Sequence, residues 1–270
     1  MSAPNEPVML SIAGSDPSGG AGIQADVKTA TALGVYSASV LTALTAQNTH
    51  GVQGVHAVPV PFVLQQLRSV LDDLDVRAVK IGMLGDPSLV EALADVLADV
   101  DAPIVLDPVM VATSGDVLVP EAAVEAILAR LVPLAAVLTP NVPEAELLGG
   151  VRVESVADLE AAGTALLRRG ARAVLVKGGH LSGASAVDVL VRSEAAPPVR
   201  LEHERVETPH THGTGCTLSS AIAARLAVGD DLEPAIERAR AFLLEALRSG
   251  AGRRVGGGRG PVDHLVGIER

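Results

Sequence analysis

Val8-Met9-Leu10-Ser11-Ile12-Ala13 runs straight into Gly14-Ser15-Asp16-Pro17-Ser18-Gly19-Gly20-Ala21-Gly22, and a helical pattern begins at Ile23. A strand, a glycine-rich turn and a helix in that order open a βαβ unit. The rest of the chain repeats the alternation. Strand patterns fall at Ala38–Leu44, Arg77–Ile81, Ile104–Leu106, Ala136–Leu138, Ala173–Val176, Val187–Val191 and Val199–Glu204. Helical patterns lie between most of them, at Phe62–Leu74, Leu89–Val100, Ala122–Leu131 and Val156–Leu167. Leu89, Leu93, Val96, Leu97 and Val100 recur at spacings of three and four, which gives one buried helical face. Ser155-Val156-Ala157-Asp158 has the shape of a capping box, with Asp in place of the stronger Glu. Ala173–Val176 is apolar throughout and suits a strand covered on both faces. The alternation predicts an α/β fold: a central, mostly parallel sheet with helices on both faces. Val187–Val191 and Val199–Glu204 have only a turn between them, which predicts an antiparallel hairpin at the sheet edge. Two helices follow, near Gly215–Ala227 and Pro234–Ser249, and the Gly- and Arg-rich stretch Gly250–Gly260 reads as a loop. With no long polar linker and no internal repeat, residues 1–270 are expected to form a single domain.

Composition narrows the function. Twenty-one Lys and Arg against 32 Asp and Glu give a net charge of −11, which argues against nucleic acid or anionic lipid as partner. Hydrophobic residues make up 48% of the chain, yet Tyr36, Phe62 and Phe242 are its only aromatics, so the core is built from Ala, Val and Leu. No apolar run reaches the ~18–20 residues of a membrane span. Residues 1–27 hold no Lys, Arg or apolar core of a signal peptide. Cys216 is the single cysteine, which excludes an internal disulfide and a Cys-pair zinc site. A cytoplasmic protein acting on a small molecule is the expectation.

Gly20-Ala21-Gly22-Ile23-Gln24-Ala25 matches the loose dinucleotide-binding pattern. That reading wants a carboxylate about 20 residues further on to hold the ribose. No Asp or Glu occurs between Val27 and Leu71, so a nicotinamide oxidoreductase ranks last. The second glycine cluster, Thr211-His212-Gly213-Thr214-Gly215-Cys216-Thr217-Leu218, leads into an apolar helix. Its backbone N–H groups and helix start make a nest for an anion, or for a phosphoryl group in transfer. No Gly-Lys-Ser/Thr of a Walker A motif is present. Three more clusters fall at strand ends, where open α/β sheets place their sites: Asp107-Pro108-Val109-Met110, Thr139-Pro140-Asn141-Val142-Pro143-Glu144 and Lys177-Gly178-Gly179-His180. Together they supply carboxylates for a hard cation, a point charge for phosphate and an anion nest, the parts a phosphotransferase needs. The seven histidines, His210 and His212 included, form no metal-ligand pattern.

The run Ala13–Asp26 resembles the opening signature of the hydroxymethylpyrimidine/phosphomethylpyrimidine kinases, members of the ribokinase-like superfamily. The resemblance continues in order through Leu44–Thr49, Lys80–Leu84, Asp107–Met110, Thr139–Asn141, Lys177–His180, His212–Thr217 and Gly260–Val262. It implies a ribokinase-like fold and Mg-ATP as phosphoryl donor. It also implies two activities in thiamine biosynthesis: phosphorylation of 4-amino-5-hydroxymethyl-2-methylpyrimidine, then of its monophosphate. A homodimer is common in this fold and is the expected assembly. Carried over by residue, Gln47 would read the aminopyrimidine edge, Met83 would pack on the ring, and Gly14 and Asp26 would belong to the substrate pocket. Asn141 and Glu144 match the superfamily's Asn-x-x-Glu motif for Mg2+ and phosphate, with Asp107 on the metal side. Lys177 and Thr211 would touch ATP, while Gly213, Thr214, Gly215 and Cys216 would form the anion hole. Sugar kinases of the superfamily end that motif with an Asp base; here Cys216 takes its place. A thiol at a helix N-terminus can have a depressed pKa and accept the substrate proton. Two other readings stand beside this one: a pyridoxal or pyridoxine kinase of the same fold, and a non-catalytic pyrimidine sensor.

Overall fold

The computed structural model of the chain describes residues 6–110 and 119–268. The chain runs β1 (Val8–Ala13), α1 (Gly22–Ala32), β2 (Tyr36–Leu41), β3 (Ala43–Asn48), β4 (Gly51–Ala57), α2 (Val60–Leu71), β5 (Val76–Ile81) and α3 (Pro87–Leu97). It continues with β6 (Ile104–Leu106), α4 (Glu121–Ala126, prolonged by a π-turn over Ile127–Leu131), β7 (Val137–Leu138), α5 (Val142–Gly149) and α6 (Val156–Arg168). β8 (Val174–Val176), β9 (Ser185–Val191), β10 (Val199–Glu204), α7 (Thr214–Ala227) and α8 (Leu232–Ala251) complete it.

Eight strands form one sheet in the order β10-β9-β8-β7-β6-β5-β1-β2. The six from β8 to β2 are parallel, and β9 pairs antiparallel with both β8 and β10. The expected mostly parallel sheet and its edge hairpin are therefore present. Side chains of successive strand residues face opposite ways, and both faces are covered. Leu10, Ile12, Val79, Ile81, Leu106 and Val176 pack with α2 to α6. Met9, Ala78, Val105 and Leu175 meet α1, α7 and α8. Local signals set several starts: Asp86 caps α3 ahead of Pro87, and the Ser155–Asp158 capping box opens α6.

One expectation needs correction. The apolar run Ala38–Leu44 is not a single strand: the chain leaves the sheet at Thr42. Thr42 N–H still bonds to the Ala13 carbonyl at 3.0 Å, at the end of β1, while its own carbonyl accepts from Val58 N–H at 3.1 Å. From Ala43 onward the chain instead pairs with β4, a strand broken by Gly51 and Gly54 that the sequence pattern did not reveal. The two form a separate antiparallel ribbon. Alternation along β3 leaves Thr45 and Gln47 half-buried, with Leu44, Ala46 and Asn48 exposed on the other face. This ribbon roofs the carboxyl ends of the parallel strands.

Candidate active site

Under the ribbon lies a cavity of about 690 Å³. Of the thirteen residues singled out from the sequence, every one but Asp26 lines it. The floor is built from strand ends: Gly14 after β1, Met83 beyond β5, Asp107 after β6, Asn141 after β7 and Lys177 after β8. Lys177 N–H bonds to the Pro140 carbonyl at 2.8 Å, which extends the parallel pairing and sets Lys177 beside Asn141.

The roof carries the polar edge. Thr45 Oγ1 lies 2.9 Å from the Ser15 carbonyl oxygen and 3.2 Å from Gln47 Oε1, its single proton shared between these two acceptors beside the cavity. Below it, Met83 Cε comes so close to Gly14 that an added Cβ there would sit at 2.8 Å.

At the other end, α7 begins at the glycine cluster. Gly213 is its N-cap with φ +79°, and a Cβ on it would fall 1.8 Å from the Gly20 carbonyl oxygen, so only glycine fits. The first N–H groups of a helix have no intrahelical acceptor. That of Thr214 bonds to the Thr211 carbonyl and that of Thr217 to Gly213, leaving Gly215 and Cys216 to offer theirs at the cavity wall. This is the expected anion nest, with the positive end of the α7 dipole behind it.

Lysine–aspartate pairs brace the nest. Lys177 Nζ donates to Asp107 Oδ1 at 2.8 Å, and Thr139 and Ser219 hydroxyls donate to the same carboxylate at 3.1 Å each. Burial works to raise the Asp107 pKa, but the ammonium groups of Lys177 and Lys80 hold it below the ordinary range. Burial likewise opposes the Lys177 charge, and Asp107 with Glu144 holds its pKa up. Glu144 completes a capping box on α5: it accepts from Asn141 N–H at 2.8 Å while Asn141 Oδ1 accepts from Glu144 N–H at 3.0 Å. Among the described residues the Asn141 amide NH2 has no acceptor. Burial lifts the Glu144 pKa to about 7, against the pull of Lys177 and with Asp107 adding to the rise.

Asp107 and Glu144 are hard oxygen donors facing one space, and Glu144 is a carboxyl that an added cation would return to its charged form. That donor set fits Mg2+, which takes one or two carboxylates and completes its shell with water and phosphate. Among the described residues, no three His, Cys, Asp or Glu side chains gather to hold a metal by themselves.

The profile of the family described as phosphomethylpyrimidine kinase matches residues 16–263. A hydroxymethylpyrimidine/phosphomethylpyrimidine kinase of Streptomyces coelicolor is 50% identical over 268 residues, 98% of each chain. Among solved structures, a phosphomethylpyrimidine kinase from Clostridium difficile is 41% identical with a TM-score of 0.78, over 89% of this chain and 99% of that one. An ADP complex of Bacillus subtilis pyridoxal kinase is 37% identical with a TM-score of 0.88, over 96% and 98%. The chain belongs to the phosphomethylpyrimidine kinase family.

Two expectations drawn from the resemblance to these kinases change on inspection of the geometry. Asp26 is not at the surface of the pocket: it is fully buried behind the wall. Its oxygens accept from Lys80 Nζ at 2.8 and 2.9 Å, Ser11 Oγ at 2.5 Å and Ser220 Oγ at 2.6 Å, so it supports Lys80, which does line the cavity. Burial disfavours the Lys80 ammonium, but the Asp26 carboxylate, with Cys216 and Asp107 beyond it, holds its pKa above the usual lysine value. The second change concerns Cys216. Burial pushes its thiol up to about 11, against the pull of Lys80 and a hydrogen bond from the Gly22 N–H. Desolvation outweighs the helix terminus, and the thiol of this phosphomethylpyrimidine kinase family member is protonated at rest.

Residues that the sequence reading did not assign also belong to the site. Asp16 accepts from Ser18, Gly20 and Ala21 N–H groups and meets His212 Nε2 at 2.8 Å. Burial acts against its charge, yet His212 and Ser18 lower its pKa to about 2. This pair fastens the first glycine loop to the second; the glycines around Asp16 were the only sequence signal. An apolar recess of Val206, Leu218, Leu243 and Leu247 opens from the same cavity. Leu243 and Leu247 read in sequence as ordinary core positions of a helix.

Proposed function

We propose that this chain transfers phosphoryl groups from Mg-ATP first to the alcohol of 4-amino-5-hydroxymethyl-2-methylpyrimidine and then to the resulting monophosphate, in thiamine biosynthesis. The observation that carries this reading is the union, in one cavity, of a carboxamide at Gln47 with the α7 anion nest. A carboxamide can accept from the exocyclic amine and donate to the neighbouring ring nitrogen, and Met83 supplies the apolar surface for the ring. The adenine of ATP fits the recess of Val206, Leu218, Leu243 and Leu247, and its phosphates the N–H groups of Gly215 and Cys216 beside Lys177.

Transfer then follows from positioning. The lid holds the ring so that its hydroxymethyl oxygen faces the nest, and the α7 N–H groups with Lys177 stabilise charge that grows on the moving phosphoryl group. Asp107 and Glu144 would hold Mg2+, whose chemistry here would be to neutralise charge on the donor phosphates. Cys216 Sγ is our candidate for the group that takes the hydroxyl proton, and only as its thiolate, the minor form while burial pushes the thiol up to about 11. The thiolate becomes the thiol as the proton moves late in a loose transition state. The same positioning serves a phosphate oxygen as acceptor in the second step.

A ³¹P NMR time course with the pyrimidine alcohol, Mg2+ and ATP tests the assignment. Monophosphate should rise and then give way to diphosphate. Turnover of pyridoxal alone would make the chain a pyridoxal kinase, and ligand binding with no ADP release would make it a sensor. A cytoplasmic homodimer completes the proposal. The lone cysteine suits a reducing compartment, and a second copy would cover Leu44, about half exposed on the outer face of the ribbon. Among the described residues no helix is long and apolar enough to cross a membrane.

A further inference from the structure

Arg240 and Asp188 are buried charges that the chemistry described so far does not use. Arg240 stands on α8 and Asp188 on β9. The guanidinium Nε donates to Asp188 Oδ2 at 2.8 Å. Its Nη2 reaches β10, donating to the Leu201 carbonyl and to His203 Nδ1, the latter at 2.7 Å. An arginine can only donate, so His203 Nδ1 is the acceptor and the ring is neutral. Burial and the neighbouring guanidinium lower the pKa of that ring. One side chain of α8 thus ties both strands of the edge hairpin.

The other oxygen of Asp188 reaches towards the site. Oδ1 accepts from Gly178 N–H at 3.0 Å, so the peptide that follows Lys177 is held by Asp188. The Lys177 N–H is held by the Pro140 carbonyl at 2.8 Å. Both ends of the Lys177 backbone are therefore fixed before its ammonium meets Asp107. The fit at Gly178 is tight: an added Cβ would lie 1.9 Å from the carbonyl oxygen of Val187, which precedes Asp188 on β9. On the helix side, Leu243 and Leu247 follow Arg240 by three and seven positions, so the three share one face of α8. Val206 lies two residues past the end of β10. The pair therefore joins the hairpin and the helix that form the apolar recess, and joins both to the lysine beside the nest. Arg240 itself does not line the cavity.

We infer that Arg240, acting through Asp188, is a positioning residue for the phosphoryl donor: it sets the width of the recess and the place of Lys177. The pyrimidine end of the cavity is independent of it. Gln47 stands on β3, Met83 beyond β5 and Gly14 after β1, and none of these bonds reaches those elements. The inference rests on the nucleotide placement proposed above.

Steady-state kinetics test it, with ATP varied at saturating pyrimidine alcohol and the alcohol varied at saturating Mg-ATP. Arg240→Met should raise the KM for ATP roughly 10- to 150-fold, the range of a hydrogen bond to a charged group. The KM for the alcohol should change less than about threefold, as for a substitution remote from a site. Arg240→Lys keeps the charge without the fork and should fall between Arg240→Met and the parent. Arg240→Met/Asp188→Asn leaves no buried charge without a partner and keeps an acceptor for Gly178 N–H, so it separates positioning from folding. Its KM for ATP should still rise roughly threefold or more, as for a neutral hydrogen bond. Leu247→Ala, in the recess itself, should raise the KM for ATP severalfold. If Leu247→Ala does so while the Arg240 variants do not, or if those variants raise both KM values alike, the inference is overturned and the nucleotide placement stands. If neither Leu247→Ala nor the Arg240 variants move the KM for ATP, both are overturned.

Discussion

Replacing Asp26 by alanine should strip a buried ammonium of its counter-charge. Lys80 and Asp26 are both fully buried, and Lys80 Nζ lies 2.9 and 2.8 Å from the two carboxylate oxygens. Ser11 and Ser220 donate to the same oxygens, so the change also leaves two buried hydroxyls to find new acceptors. Removing one partner of a buried ion pair costs about 3–5 kcal/mol. That is a large part of a total stability of about 5–15 kcal/mol. For a chain of this size each kcal/mol moves Tm by roughly 2–4 °C, so a loss of about 10 °C is expected. Lys80→Met should be milder, because the Ser11 and Ser220 hydroxyls still donate to the Asp26 carboxylate that remains. The double variant Asp26→Ala/Lys80→Met removes both charges and should recover most of the loss, as apolar replacements of buried pairs often do. Urea and thermal unfolding of the two single variants and the double variant give the coupling energy directly. If Asp26→Ala stays within about 1 kcal/mol of the parent, or the double variant is as unstable as the sum of the singles, the ion-pair account of the cavity floor is wrong.

The raised Cys216 thiol sets a pH dependence. Only about 10⁻⁴ of molecules carry the thiolate at pH 7, against about 10⁻² for an ordinary thiol at 9.0, so iodoacetamide should react roughly 100-fold more slowly than with an exposed cysteine. The rate should climb about tenfold per pH unit up to pH 10; a plateau below pH 8 would refute the burial argument, and Cys216→Ala with near-normal kcat would reduce the thiol to packing. Gln47→Leu should lower kcat/KM for the pyrimidine by roughly 5- to 150-fold per lost partner, with little change in the KM for ATP. Equal losses for both substrates would make Gln47 a structural residue of the lid.

The α/β alternation, the edge hairpin, the capped start of α6 and the glycine nest at Gly213 were all legible in the chain alone. Each follows from short-range chemistry: side-chain periodicity, the left-handed backbone of glycine and hydrogen bonds spanning three residues. The clusters at Asp107, Asn141, Glu144 and Lys177 and the nest at Gly213–Cys216 could be located because open parallel sheets bring the loops after their strands to one edge, whereas Gln47 and Met83 were assigned only by the resemblance to the family. What the sequence left undecided depends on distant partners. Thr42 ends a strand because Ala13 ends beside it, and no pattern within Ala38–Leu44 records that. Asp26 looks like a pocket acid until Lys80, 54 positions away, and Ser220, 194 positions away, occupy its oxygens. Asp16 gains its role from His212 across 196 residues. The Cys216 thiol follows the same logic: its helix start is local and legible, but the desolvation that overrides it comes from every element packed around it. Burial is a property of the folded chain as a whole, so only the tertiary structure could set the direction of that pKa.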